Sequence, residues 1–339
     1  MESRRAWKNS LAVLLLAAGL WAQQPAQPIA AKELTLILNE TVTLLQKTGA
    51  AGTAELLEKN RLRIQQGYTT DVYALVTALR ARAAALDLDP APTPAPDRAR
   101  LHEIADRLDS HLRALLAQRE QRLRSPDRDN LARYAEANRK LDTPAAGEQR
   151  VVFLGDSITD GWRLAEYFAG KPYVNRGISG QITGEMLGRM KADVLDLKPA
   201  AMVVLAGTND LARLVAVEAI ENNLAMIGAL ARAAGIKVIF ASVLPVSDYA
   251  KDRPAQTPQR PPDKILVLNQ FLRELCSREG FAYLDYHSAV KDEKGLLRAE
   301  LADDGLHPNA AGYKAMAPLA DAAITDTLRP PRKSRRAKR

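Results

Sequence analysis

Four short segments of the 339-residue chain hold groups that together could carry out acyl transfer. They are Gly155-Asp156-Ser157-Ile158-Thr159-Asp160-Gly161-Trp162, Arg176-Gly177-Ile178-Ser179-Gly180, Gly207-Thr208-Asn209-Asp210 and Asp304-Gly305-Leu306-His307-Pro308. A serine hydroxyl such as that of Ser157 is a poor nucleophile until a base removes its proton, and His307 is the histidine with a carboxylate three residues before it. Asp304, across a turn, would fix the imidazole tautomer and stabilise the imidazolium. The N–H groups of Ser157 and Gly177 and the side-chain amide of Asn209 would give an oxyanion three donors, and losing one such donor costs about 10²–10³ in turnover. Each segment alone has a plainer reading, as a helix cap, an Asx-bonded loop or a chance pairing. Their combined force comes from where they fall along the chain.

Five apolar runs precede or interleave them, at 150–154, 173–178, 200–206, 236–243 and 281–285. Amphipathic helical stretches separate the runs at about 183–197, 216–234 and 263–279, with one helix ahead near 128–141 and a last one over 309–327. Buried strands alternating with helices predict a parallel sheet covered on both faces. Such sheets offer sites beyond the carboxyl ends of their strands. Three of the segments stand at the ends of the first, second and third runs, and the fourth lies beyond the fifth, just before the final helix, so one rim would gather all of them. The Gly-x-Ser-x-Gly elbow of the α/β-hydrolases is absent, which disfavours that fold.

On those four blocks, with the second extended to Asn175 and the last to Asn309, the stretch 127–328 resembles the SGNH or GDSL hydrolases, a family of esterases and lipases. Within it the chain looks most like the platelet-activating-factor acetylhydrolase-like branch, whose members commonly release short acyl groups from sugars, lipids or aryl esters. The resemblance implies a flavodoxin-like three-layer α/β/α domain with a five-stranded parallel sheet. It also implies Ser157 as nucleophile, Asp304 and His307 as the rest of a triad, and Gly177 and Asn209 as partners of Ser157 in the oxyanion hole.

Other groups near the predicted rim have two readings each. Trp162 and Tyr249 could stack on a sugar or line an acyl pocket, and Arg176 and Arg213 could meet an anionic group; all four could equally be structural. The polar stretch 247–262 is long enough to form a wall of the site or simply a solvated connection. His287 lacks an acid three residues earlier and reads as peripheral or core, and Cys276 shares an apolar helix face with Leu268, Leu272 and Leu275. No phosphate loop, metal cluster or dinucleotide fingerprint appears, so no metal or other cofactor is expected.

The net charge of +8 suggests nucleic-acid binding until the charges are located. Seven Lys/Arg lie in 329–339 and a net two in 1–22, which leaves the remainder near −1 and argues against a broad phosphate-binding face. A single cysteine excludes an internal disulfide framework. Arg4, Arg5 and Lys8 precede the apolar run 11–22, followed by a proline-containing polar linker over 23–30, as in a secretory signal peptide. That run is short for a bilayer span, and no cysteine follows it to take a lipid. From 31 to 125 the chain reads as all-α, with helices near 31–47, 54–66, 70–86 and 97–123. A stiff Pro-Ala-Pro-Thr-Pro-Ala-Pro spacer over 90–96 comes before Asp97, the expected N-cap. His102 and His111 are nine residues apart, off metal-ligand spacing. The tail 329–339 is expected to be disordered.

The expectation is therefore an exported, periplasmic or secreted serine ester hydrolase over 126–328 that removes short acyl groups, acetyl foremost, from a carbohydrate, lipid or aryl ester. It would not be integral to the membrane after signal cleavage. The helical region would offer a surface for a protein partner or for self-association. The alternatives are a lysophospholipase or thioesterase acting on long acyl chains and a non-catalytic envelope binding module.

Overall fold

The computed structural model describes residues 27–89, 93–250 and 255–329. The segment 1–22 read from the sequence as a signal peptide, part of the linker, the proline positions 90 and 92 of the spacer, and residues 330–339 of the basic tail lie outside the described residues. The chain divides into two compact units, Met1–Ser125 and Pro126–Arg339.

In the first unit, α1 (Ala31–Lys47), α2 (Ala51–Gln65), α3 (Thr69–Leu88) and α4 (Ala95–Leu123) pack each on the next, and α4 returns to α1. Leu38, Leu45, Leu79, Leu101, Ile104 and Leu108 fill the bundle interior. The stripe predicted on α4 faces this core, as helical spacing requires. Asp97 is not the N-cap: α4 starts at Ala95, because a proline in the first turn gives up no hydrogen bond. The Asp97 carboxylate instead pairs with Lys47 at 2.6 Å. His102 pairs with Asp87, while His111 is buried with Nδ1 accepting the Ile29 N–H at 3.0 Å.

The second unit is a five-stranded, all-parallel sheet in the order β2-β1-β3-β4-β5. Its strands are β1 (Val151–Gly155), β2 (Tyr173–Gly177), β3 (Ala201–Leu205), β4 (Lys237–Ala241) and β5 (Ala282–Leu284). Alternate residues serve opposite faces, so both faces of the central strands must be apolar. Val152, Leu154, Met202, Val204, Val238 and Phe240 enter one core, and Val151, Phe153, Val203, Leu205, Ile239 and Ala241 the other. Helices α11 (Val217–Ala233) and α12 (Pro262–Glu279) cover the first face, and α14 (Ala310–Leu328) the second. This is the flavodoxin-like three-layer arrangement. No described helix is long and apolar enough to cross a membrane.

Two predicted helices differ. The one near 128–141 shrinks to α5 (Ala132–Arg139), because Asn130 takes a left-handed φ of 59° and the Asp127 carboxylate accepts the Leu131 and Ala132 N–H groups. The one near 183–197 breaks into α8 (Thr183–Gly188), α9 (Met190–Asp193) and a 3₁₀ turn, Leu195–Leu197. The break falls at Arg189, whose side chain turns inward to buried partners. Four further short helices lack a periodicity long enough to announce them: α6 (Ser157–Asp160), α10 (Thr208–Ala212) and α13 (Tyr286–Val290), each at a strand end, and α7 (Leu164–Tyr167), which follows α6. Cys276 is buried, and burial pushes its thiol up to about 11.

Candidate active site

Past β1 the chain turns straight into α6, and Asp156 caps that helix by accepting the Ile158 N–H on Oδ1 at 3.0 Å. Ser157 is thereby lifted to the rim, where its Oγ lies 2.9 Å from His307 Nε2. His307 arrives from the far side of the sheet on the turn before α14. That turn is held by Asp304 Oδ1, which accepts the Leu306 and His307 N–H groups at 3.0 and 2.8 Å. The other oxygen, Asp304 Oδ2, lies 2.7 Å from His307 Nδ1. With Nδ1 protonated toward the carboxylate, Nε2 offers its lone pair to the serine. Burial pushes the Asp304 carboxyl up, but its bonds to the His307 side chain and to two backbone N–H groups outweigh this and hold it below the usual carboxylate range.

Asp156 is in the opposite situation. It is fully buried, its Oδ2 has no hydrogen-bond partner, and burial pushes the carboxyl up to about 6. A folded-state value above the ordinary 3.8 means that the folded protein holds more protons than the unfolded chain between the two values. Stability therefore falls as pH rises through that window, by about 3 kcal/mol once complete. Asp156→Asn keeps the capping oxygen and removes the charge. Its melting temperature should exceed that of wild type at about pH 8, and the gap should close near pH 4. Scanning calorimetry at the two pH values would contradict this if the gap were the same at both.

The expected oxyanion donor Gly177 requires correction. Its N–H donates to Asn175 Oδ1 at 2.8 Å and its carbonyl accepts from the Tyr134 hydroxyl, so both backbone groups are occupied. Gly177 is a glycine for room: a Cβ there would lie 2.1 Å from the Asp160 backbone nitrogen. Three residues on, Gly180 has a left-handed φ of 80°, and its N–H finds no hydrogen-bond partner among the described residues. It lies between Ser179, which shares a cavity with Ser157, and Gln181, whose carbonyl accepts from Asn209 Nδ2 at 3.1 Å. One N–H of the Asn209 amide remains, and the Ser157 N–H at the start of α6 is likewise unpaired. The sequence carried the signal for Gly180, a glycine within Ser179-Gly180-Gln181, but not the hydrogen bond that removes Gly177.

Two further expectations are corrected. Trp162 is buried in an aromatic cluster, stacked on Tyr313 with centroids 5.2 Å apart and edge-on to Phe153, so it packs rather than binds. Arg176 is buried as well, its guanidinium on Asn138 Oδ1 and over the Tyr134 ring. Arg213 does reach the site, donating to the Gly180 carbonyl at 2.6 Å. The Tyr249 hydroxyl donates to the Ala302 carbonyl and so braces the turn that carries Asp304. The 247–262 segment, of which 251–254 lie outside the described residues, borders the same turn through Ser247 N–H to Gly305 O at 2.9 Å. His287 is buried within α13, where its N–H donates to the Ser242 hydroxyl at 2.8 Å.

A cavity of about 570 Å³ opens over the serine, lined by Ser157, Asp160, Gly161, Ser179, His307, Pro308 and Tyr313. The Asp160 carboxylate in its wall accepts from both the N–H and the hydroxyl of Ser179. A larger cavity of about 730 Å³ lies by β5 and includes no residue of the Ser157, Asp304 and His307 set.

A family model described as GDSL-like Lipase/Acylhydrolase matches residues 153–315. Esterase TesA of Pseudomonas aeruginosa is 29% identical over 186 residues, which span 50% of this chain and 85% of that protein. A solved structure of a candidate acylhydrolase from Bacteroides fragilis is 35% identical with a TM-score of 0.56, covering 60% of this chain and 100% of its own. A Streptococcus pneumoniae structure described as a platelet activating factor is 28% identical with a TM-score of 0.54, covering 62% and 98%.

Proposed function

Because the chain belongs to the GDSL-like lipase/acylhydrolase family, a family of esterases, we propose that it is an exported serine hydrolase that removes short acyl groups, acetyl foremost, from a carbohydrate, lipid or aryl ester. The observation that carries this reading is the continuous relay Ser157 Oγ to His307 Nε2 at 2.9 Å and His307 Nδ1 to Asp304 Oδ2 at 2.7 Å.

Ser157 Oγ attacks the ester carbonyl carbon as its proton passes to His307 Nε2. The carbonyl π pair becomes an oxyanion, which rests on the N–H groups of Ser157 and Gly180 and the free N–H of Asn209. When the tetrahedral adduct collapses, the C–O bond to the alcohol breaks and the imidazolium returns its proton to that oxygen. A water then repeats both steps on the acyl-serine and releases the acid. Asp304 keeps its charge throughout and stabilises the imidazolium.

The cavity wall supports a short acyl group and a hydroxylated alcohol, since a carboxylate, a serine and a tyrosine ring frame the serine. The cationic head and apolar run of residues 1–22 support export to a periplasm or the medium. Both are tested on protein recovered from the periplasm, whose first residue should lie just past Ala22. Its kcat/KM on p-nitrophenyl acetate should exceed that on the dodecanoate by about tenfold or more. A preference for dodecanoate would favour action on long-chain lipids instead.

A further inference from the structure

The Gly180 N–H and the Asn209 amide come from different strand ends, and one residue joins them. Gln181 follows Gly180 directly, and its backbone carbonyl takes Asn209 Nδ2 at 3.1 Å. Its side chain is not at the surface: the residue is 2% exposed, Oε1 accepts from Arg189 Nε at 2.6 Å, and Nε2 donates to the Asp129 carbonyl at 3.1 Å. Arg189 is fully buried, with Nη1 on Asp193 at 3.0 Å and Nη2 on the carbonyl of Gly155 at 3.2 Å. Gly155 ends β1, two residues before Ser157. One guanidinium therefore touches both the strand end that carries the nucleophile and the glutamine that carries the facing wall.

A buried Arg–Asp pair is costly to desolvate, and apolar side chains of similar volume often stabilise a core as well or better. What an arginine adds is a planar fork of donors at fixed angles. We propose that Gln181, oriented by the buried Arg189, is a positioning residue that holds the Gly180 N–H and the Asn209 amide at the spacing a tetrahedral oxyanion requires. The proposal rests on the ester-hydrolase reading of the site. Groups that fix a catalytic constellation from behind commonly change rates by about 10- to 100-fold when removed.

Gln181→Met keeps the volume and loses both side-chain bonds. It should lower kcat on p-nitrophenyl acetate about 10- to 100-fold with KM within about threefold, a split that marks lost transition-state stabilisation. Gln181→Glu retains an acceptor for Arg189 and should recover kcat to within about fivefold of wild type. In an Asn209→Ala background, Gln181→Met should cost several-fold less than it does in the wild type, because one of the two donors it positions is already gone. Should Gln181→Met not fold, Arg189→Lys carries the same prediction, since it keeps the charge beside Asp193 and loses the Nε donor. Wild-type kcat in Gln181→Met or in Arg189→Lys, or a Gln181→Met effect that multiplies in full with Asn209→Ala, would overturn the positioning role and leave the esterase reading standing. A wild-type protein that turns over no ester would overturn both.

Discussion

Ser157→Ala is expected to lower kcat on p-nitrophenyl acetate by about 10⁶-fold, to the level left by substrate binding and the oxyanion donors alone. The loss should be nearly complete because no neighbouring hydroxyl can stand in. Ser179 shares the cavity, but its Oγ donates to Asp160 Oδ2 at 2.7 Å and is not the group that meets His307. Stability should hardly change, since the Ser157 hydroxyl has His307 as its partner at a solvent-accessible rim, and such substitutions usually stay within about 0.5 kcal/mol. Steady-state rates and a thermal melt of the variant test both halves. Activity within about tenfold of wild type would remove Ser157 from the chemistry.

Asp304→Asn is expected to cost about 10⁴ in kcat with the fold intact. The two oxygens of Asp304 have separate tasks, and asparagine can perform one of them. Oδ1 accepts the Leu306 and His307 N–H groups, a task the amide oxygen keeps. The amide NH₂ then replaces Oδ2 opposite His307 Nδ1 and presents a donor where the imidazole presented its own N–H. The ring must switch tautomer, which puts its proton on Nε2, and Nε2 can no longer accept from Ser157. An unchanged melting temperature beside the rate loss is the expected pair of results. A loss smaller than about tenfold would show that the carboxylate does not set the tautomer.

The sheet was legible in the sequence because central parallel strands are buried on both faces. Val151 to Leu154 and Ala201 to Leu205 must be apolar at every position, and a continuous apolar run is hard to mistake. The serine, histidine and aspartate were legible for a related reason, since each stands where a strand or turn delivers it to one rim. What stayed hidden depends on hydrogen bonds across the chain. Gly177 and Gly180 are three residues apart and alike in type, and they are told apart by the Asn175 side chain that takes the N–H of the first, while the N–H of the second has no partner among the described residues. Trp162 resembled a binding residue until the ring stack with Tyr313 placed it in the core. The break at Arg189 has no periodic signature, because it serves Gln181 and Gly155 rather than its own helix.

Whether Ser157 is an activated nucleophile decides the ester-hydrolase chemistry most directly. Intact-protein and peptide mass spectrometry after exposure to a fluorophosphonate reads this without any choice of substrate. One adduct per chain is expected, on Ser157, forming in step with the loss of esterase activity and absent from Ser157→Ala. Unmodified protein, or an adduct on another residue with activity preserved, would contradict it.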